Sequence, residues 1–112
     1  MKTGLKLLFA LVLAAMLFVT VRASLGESVF AAGSRLWGDW WFRATLADAY
    51  FGFVVVFVWI GWRERTGAAR AVWFVLLMVL GNIAIASYFL LALHGLAGPG
   101  IEGLFSRKPA PA

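Results

Sequence analysis

Asp48 is the one carboxylate in "ATLADAYFGFVVVFVWIGW", Ala44–Trp62, an otherwise apolar run. A carboxylate there has three possible uses. It anchors the interfacial end of a helix, it clamps two helices through hydrogen bonds, or it holds a proton or a ligand. Its candidate partners lie in a later apolar run that carries Asn82, Ser87 and Tyr88. On a helix, Asp48, Phe51, Gly52, Val55, Trp59 and Trp62 recur every three or four residues and share one face. Gly52 leaves space one turn from the carboxylate. If the two runs are antiparallel helices, Asn82 and Tyr88 bracket Asp48 to within about 5 Å of depth. A charged aspartate deep in hydrocarbon costs about 3 kcal/mol on insertion scales, which favours an inward position and a partner. The expectation is that Asp48 faces the third helix and accepts a hydrogen bond from Asn82 or Tyr88, with Arg43 able to reach down from the interface. Asn82 and Ser87 are not strictly on one face, so not every member of the cluster reaches Asp48.

Other chemistry is thin. There is no cysteine, which excludes disulfides, iron–sulfur clusters, thiolate zinc sites and cysteine nucleophiles. His94 is the single histidine and falls at the end of the third apolar run, as an interfacial histidine near a helix C-terminus would. Alone it cannot supply a bis-histidine haem site. Glu64 and Glu102 fall outside the apolar runs. No phosphate loop, nucleophile elbow or zinc motif is present. No catalytic residue, metal site or cofactor is therefore assigned.

The elements that would position Asp48 are membrane helices. The 112 residues are 63% hydrophobic and 13% charged, with a mean hydropathy of +0.92. Soluble chains are about a quarter charged. Three runs approach the roughly 20 residues that a spanning helix needs, at about 5–21, 44–62 and 71–93. In lipid the backbone must satisfy itself, so these read as helices. A leader peptide is the alternative for the first run, with small residues before Ser24. That run exceeds the usual apolar length of a leader, and Arg22 sits inside the would-be cleavage site.

The connection after the first run is too long for a tight turn. Ser28 can N-cap a short helix in it. Trp37, Trp40, Trp41, Trp59 and Trp62 suit an interfacial aromatic belt. Residues 1–95 form the three-helix transmembrane domain, and 96–112 read as a flexible tail. The formal charge of +5 flanks the apolar runs instead of forming one patch, which points to a lipid bilayer and away from nucleic acid. With three spans the basic residues tie: Lys2, Lys6, Arg63, Arg65 and Arg70 on one side, Arg22, Arg35, Arg43, Arg107 and Lys108 on the other. The density of "RERTGAAR" favours a cytoplasmic amino terminus and an outside carboxyl terminus, in the cell (inner) membrane.

"WWFRATLADAYFGF", "VWIGWRER" and "WFVLLMVLGNIAIASY" resemble domain-of-unknown-function family fourteen seventy-five, a group of small three-helix membrane proteins from bacteria and plants. The likeness rests on Trp41, Ala44, Thr45, Leu46, Asp48, Tyr50, Trp59, Arg63, Glu64, Trp73, Gly81, Asn82 and Tyr88. It covers about Trp40 to Leu93, and the first helix agrees only in hydropathy. The chain departs from the pattern at "GDWW" and "TGAAR". The resemblance implies an architecture and no activity.

The expected fold is an all-α integral membrane protein with three transmembrane helices and an interfacial segment between the first and second. The expected role is a non-enzymatic accessory subunit of a larger membrane complex, or a homo-oligomer. Ala10 with Ala14, or Gly81 with Ala84, would let helices approach closely. A transporter or channel protomer that builds an oligomeric pore around Asp48 is the competing class. A membrane enzyme for lipid substrates is a third, poorly supported by a single intramembrane carboxylate.

Overall fold

Side-chain caps set where the helices begin. Ser28 Oγ accepts from the Ala31 amide at 3.1 Å, Asp39 Oδ1 from Trp41 at 2.8 Å and Phe42 at 3.3 Å, and Thr66 Oγ1 from Ala69 at 3.2 Å. Each such cap is worth about 1 kcal/mol. The computed structural model describes residues 1–108. There are five α-helices, of which α2, α3 and α4 start at these caps: α1 Lys2–Gly26, α2 Val29–Leu36, α3 Trp40–Arg63, α4 Gly67–Leu80 and α5 Asn82–Gly95. A 3-10 turn over Glu102–Phe105 closes the described chain.

Two helices, α1 with 25 residues and α3 with 24, are long and apolar enough to cross a membrane. The apolar run at 71–93 is not the single helix expected from its composition. It breaks at Gly81, whose φ of 57° and ψ of −121° suit glycine and strain any other residue. The Gly81 amide bonds Leu77 O at 2.9 Å and so ends α4, while its carbonyl accepts from Ile85 at 3.1 Å and starts α5. A side chain has no room there, because an added Cβ would lie 2.6 Å from Phe53 Cζ.

The break reverses the chain. In a continuous helix Trp73 and Tyr88 would be about 22 Å apart along the axis. Their ring centroids are 4.8 Å apart. The Met78 carbonyl, left without its helical partner, accepts from the Tyr50 hydroxyl at 2.9 Å.

Named contacts give the direction of each helix. Lys2 Nζ donates to Leu96 O at 2.8 Å and Gly98 O at 3.0 Å, and Phe9 stacks on Phe89 at 4.3 Å, so α1 is antiparallel to α5. Phe57 meets Phe74 at 5.2 Å and Arg70 Nε bonds Gly61 O at 2.8 Å, so α3 is antiparallel to α4. Phe53 at Gly81 and Trp59 on Phe89, at 4.9 Å, make α3 run with α5. The amino terminus and the chain after α5 therefore lie at the same end of the molecule. The sequence had suggested opposite ends, because one straight third helix would have carried the chain across.

The buried core is small and centred on α5: Ile60, Leu77, Ala84, Ala86, Tyr88, Ala92, Leu93 and Leu104. No residue of α1 is buried. The segment after α5, expected as a flexible tail from residue 96, folds back through residue 108. Leu104 is buried, and Lys108 pairs its backbone with Arg63 at 2.9 Å. The rest of that expected tail, 109–112, lies outside the described residues. At the far end of the molecule, Arg35 bonds Glu27 at 2.7 Å. That hydrogen bond holds the exposed Glu27 carboxyl below its ordinary pKa. The pair's small contribution is present above the unfolded carboxylate pKa and fades as pH falls through the lowered one.

Candidate functional site

α3 stops at Arg63 because Glu64 leaves helical geometry at φ −78°, ψ 140°. The Glu64 amide still bonds Ile60 O at 2.8 Å, and Arg70 Nε bonds the Gly61 and Glu64 carbonyls at 2.8 and 3.1 Å. The orphan acceptors of the helix end are thus satisfied, and the Glu64 carboxylate is buried against α5. There the Tyr88 hydroxyl donates to Glu64 Oε2 at 2.7 Å and accepts from Arg63 Nη1 at 3.1 Å. Lys108 Nζ lies 2.9 Å from Glu64 Oε1 and 2.6 Å from Oε2. Trp59 and Trp73 meet the Tyr88 ring edge-on at 5.5 and 4.8 Å.

Two ionic side chains are nearly out of water here, Arg63 at 6% exposure and Glu64 at 4%. The chain after α5 clasps this end of the molecule. Trp59 Nε1 bonds Leu104 O at 3.1 Å, Arg65 Nε bonds Lys108 O at 2.9 Å, and Arg107 Nε bonds Trp62 O at 2.7 Å. Arg63, Trp73, Tyr88, Arg107 and Lys108 border a cavity of about 470 Å³. Tyr88→Phe keeps the ring contacts and removes both hydroxyl bonds. It should cost about 1–3 kcal/mol, read as an earlier unfolding midpoint in mixed detergent micelles.

The residues singled out from the sequence separate into two places. Asp48 and Asn82 line one cleft of about 320 Å³ with Gly52, Phe53, Val56 and Ile85, and both are exposed on the isolated chain. Among the described residues no hydrogen bond joins Asp48 to Asn82, Ser87 or Tyr88. Ser87 Oγ instead donates to its own helix at Ile83 O, 2.7 Å away. Tyr88 belongs to the Glu64 cluster. The depth count that placed it by Asp48 assumed a helix running on past residue 81, and the reversal at Gly81 carries Tyr88 back towards Trp59 and Arg63. Asn82, beside the turn, keeps its level.

Arg43 does not reach Asp48. It bonds Trp37 O at 2.5 Å and lies over the Trp37 and Trp40 rings at 5.0 and 4.7 Å. Trp37, Trp40, Trp41 and Trp62 are exposed, whereas Trp59 is packed between Tyr88, Phe89 and the Leu104 carbonyl. His94 is exposed. Among the described residues, no three or more His, Cys, Asp or Glu side chains group to hold a metal.

Glu64 was set aside in the sequence because it lies outside the apolar runs, and Lys108 because it lies in a presumed tail. A signal was nonetheless present. Trp59, Arg63, Glu64, Trp73 and Tyr88 all carry the family likeness, and all five meet here. The family model described as "Protein of unknown function (DUF1475)" matches residues 4–99. The chain belongs to this family. The match runs through α1 as well as α3–α5, so it includes the helix that the sequence likeness reached only through hydropathy. No curated protein and no solved structure matches the chain.

Proposed function

We propose that the chain is a small integral membrane protein without catalytic activity, working as an accessory subunit or a homo-oligomer in the cell membrane. One observation carries the membrane reading: α1 and α3 are long and apolar, yet 0% and 6% of their most apolar stretches are buried. The core helix of a soluble protein would be mostly buried. Among its contacts, α1 stacks Phe9 on Phe89 of α5 and bonds Lys2 to the Leu96 carbonyl just after it.

From Arg43 to Arg63, α3 rises about 30 Å, the thickness of the hydrocarbon layer. α4 and α5, about 21 Å each, enter and leave from one side and turn at Gly81 near mid-depth. Irregular backbone at that depth requires internal partners, and Tyr50 supplies one at Met78 O. Lys2, Lys6, Arg63, Arg65, Arg70, Arg107 and Lys108 gather at one end, against Arg22, Arg35 and Arg43 at the other. Seven of the ten basic residues on one side favour a cytoplasmic location for that side, with the amino terminus. The chain after α5 goes with it.

Asp48 supports the oligomer or partner reading. It lies about 7.5 Å below the level of Arg43, exposed, beside an exposed Asn82. A carboxylate facing lipid is costly, so a second copy or a partner helix covers the cleft. The same cleft favours one further reading, an oligomeric pore lined by Asp48. Alkaline carbonate should leave the protein in the membrane pellet, and cross-linking in mild detergent should trap a discrete assembly. Proteoliposomes should show no more proton flux than empty vesicles. Flux that disappears in Asp48→Asn would replace the accessory reading with the pore.

A further inference from the structure

Arg63 is a buried cation without an anion. Its Nη1 reaches only the Tyr88 hydroxyl, and its Nε has no hydrogen-bond partner. Among the described residues it forms no ion pair, and the Glu64 carboxylate meets Tyr88 and Lys108 instead. A guanidinium in so dry a place is costly unless an anion meets it. The cavity of about 470 Å³ offers room for one, with Arg63 in its wall beside the exposed Arg107 and Lys108.

We propose that this cavity holds the phosphate of an anionic lipid headgroup. Arg63, Arg107 and Lys108 set three positive charges against the single Glu64 carboxylate, and guanidinium groups suit phosphate oxygens because their fork donates two parallel bonds. Apart from Tyr88 and Ser106 the remaining wall, with Leu91 and Leu96, is mostly apolar. Leu91 is 63% exposed on the outer side of α5, where the acyl chains of a bound lipid would lie. The site is at the end of the helices that carries most of the basic residues, where a basic pocket meets anionic headgroups. This inference rests on the membrane reading above.

The test is thermal unfolding of the full chain in detergent, titrated with phosphatidylglycerol, phosphatidylcholine or inorganic phosphate. Phosphatidylglycerol should raise the unfolding midpoint saturably, and the other two should not. Arg63→Gln and Arg107→Gln should each weaken the half-saturating concentration by about tenfold, the loss of one charge-assisted contact. Arg22→Gln, at the opposite end, should respond as the parent does. If Arg63→Gln fails to fold, Arg107→Gln decides. An unchanged response in Arg107→Gln would overturn the site. An equal shift with inorganic phosphate would overturn the lipid assignment in favour of free phosphate. A parent protein that resists carbonate extraction yet shows no shift sinks the site and leaves the membrane reading standing.

Discussion

Gly81→Ala should destabilise the protein by about 3 kcal/mol. Two costs combine. The backbone at φ 57°, ψ −121° is strained for a residue with a Cβ, and the new atom would lie 2.6 Å from Phe53 Cζ. Unfolding in mixed micelles would measure it. Phe53→Ala added to Gly81→Ala removes the collision but not the backbone strain, so the double variant should lose less than the two single losses summed. Equal stability of Gly81→Ala and the parent would mean that α4 and α5 join as a continuous helix in the membrane.

Glu64→Ala is expected to cost about 2–3 kcal/mol, because it leaves the buried Tyr88 hydroxyl without its acceptor and removes the carboxylate that Tyr88 links to the buried Arg63. The same change should free the chain after α5, since Lys108 loses its ion pair. Limited proteolysis would read that release as new cleavage near residues 104–108. Glu64→Gln retains an acceptor for Tyr88 and should cost less. If Glu64→Ala unfolded like the parent, the cluster would be surface decoration.

Much of this fold was legible from local signals. Ser28 announced α2 as an N-cap, and the first two apolar runs lie inside α1 and α3, which run past them by up to five residues. The third run misled because hydropathy is blind to direction. Gly81 inside an apolar stretch reads as a small residue for helix contact, and only its contact with Phe53 reveals a turn. The candidate site failed for the same reason. Asn82 stayed level with Asp48 because it adjoins the turn, while Tyr88, a turn and a half further on, was carried away. Glu64 was hidden by its place between two arginines. "RER" reads as a solvated connection until the reversed α5 brings Tyr88 against it.

The reversal at Gly81 is best tested by the side from which each end can be labelled. The chain has no cysteine, so single cysteines at Thr3 and Ala97 can be probed with a membrane-impermeant maleimide in oriented vesicles. The fold-back predicts that both positions label from the same side, and that a cysteine at Ser34 labels from the other. Labelling of Thr3→Cys and Ala97→Cys from opposite sides would contradict it and restore three spanning helices.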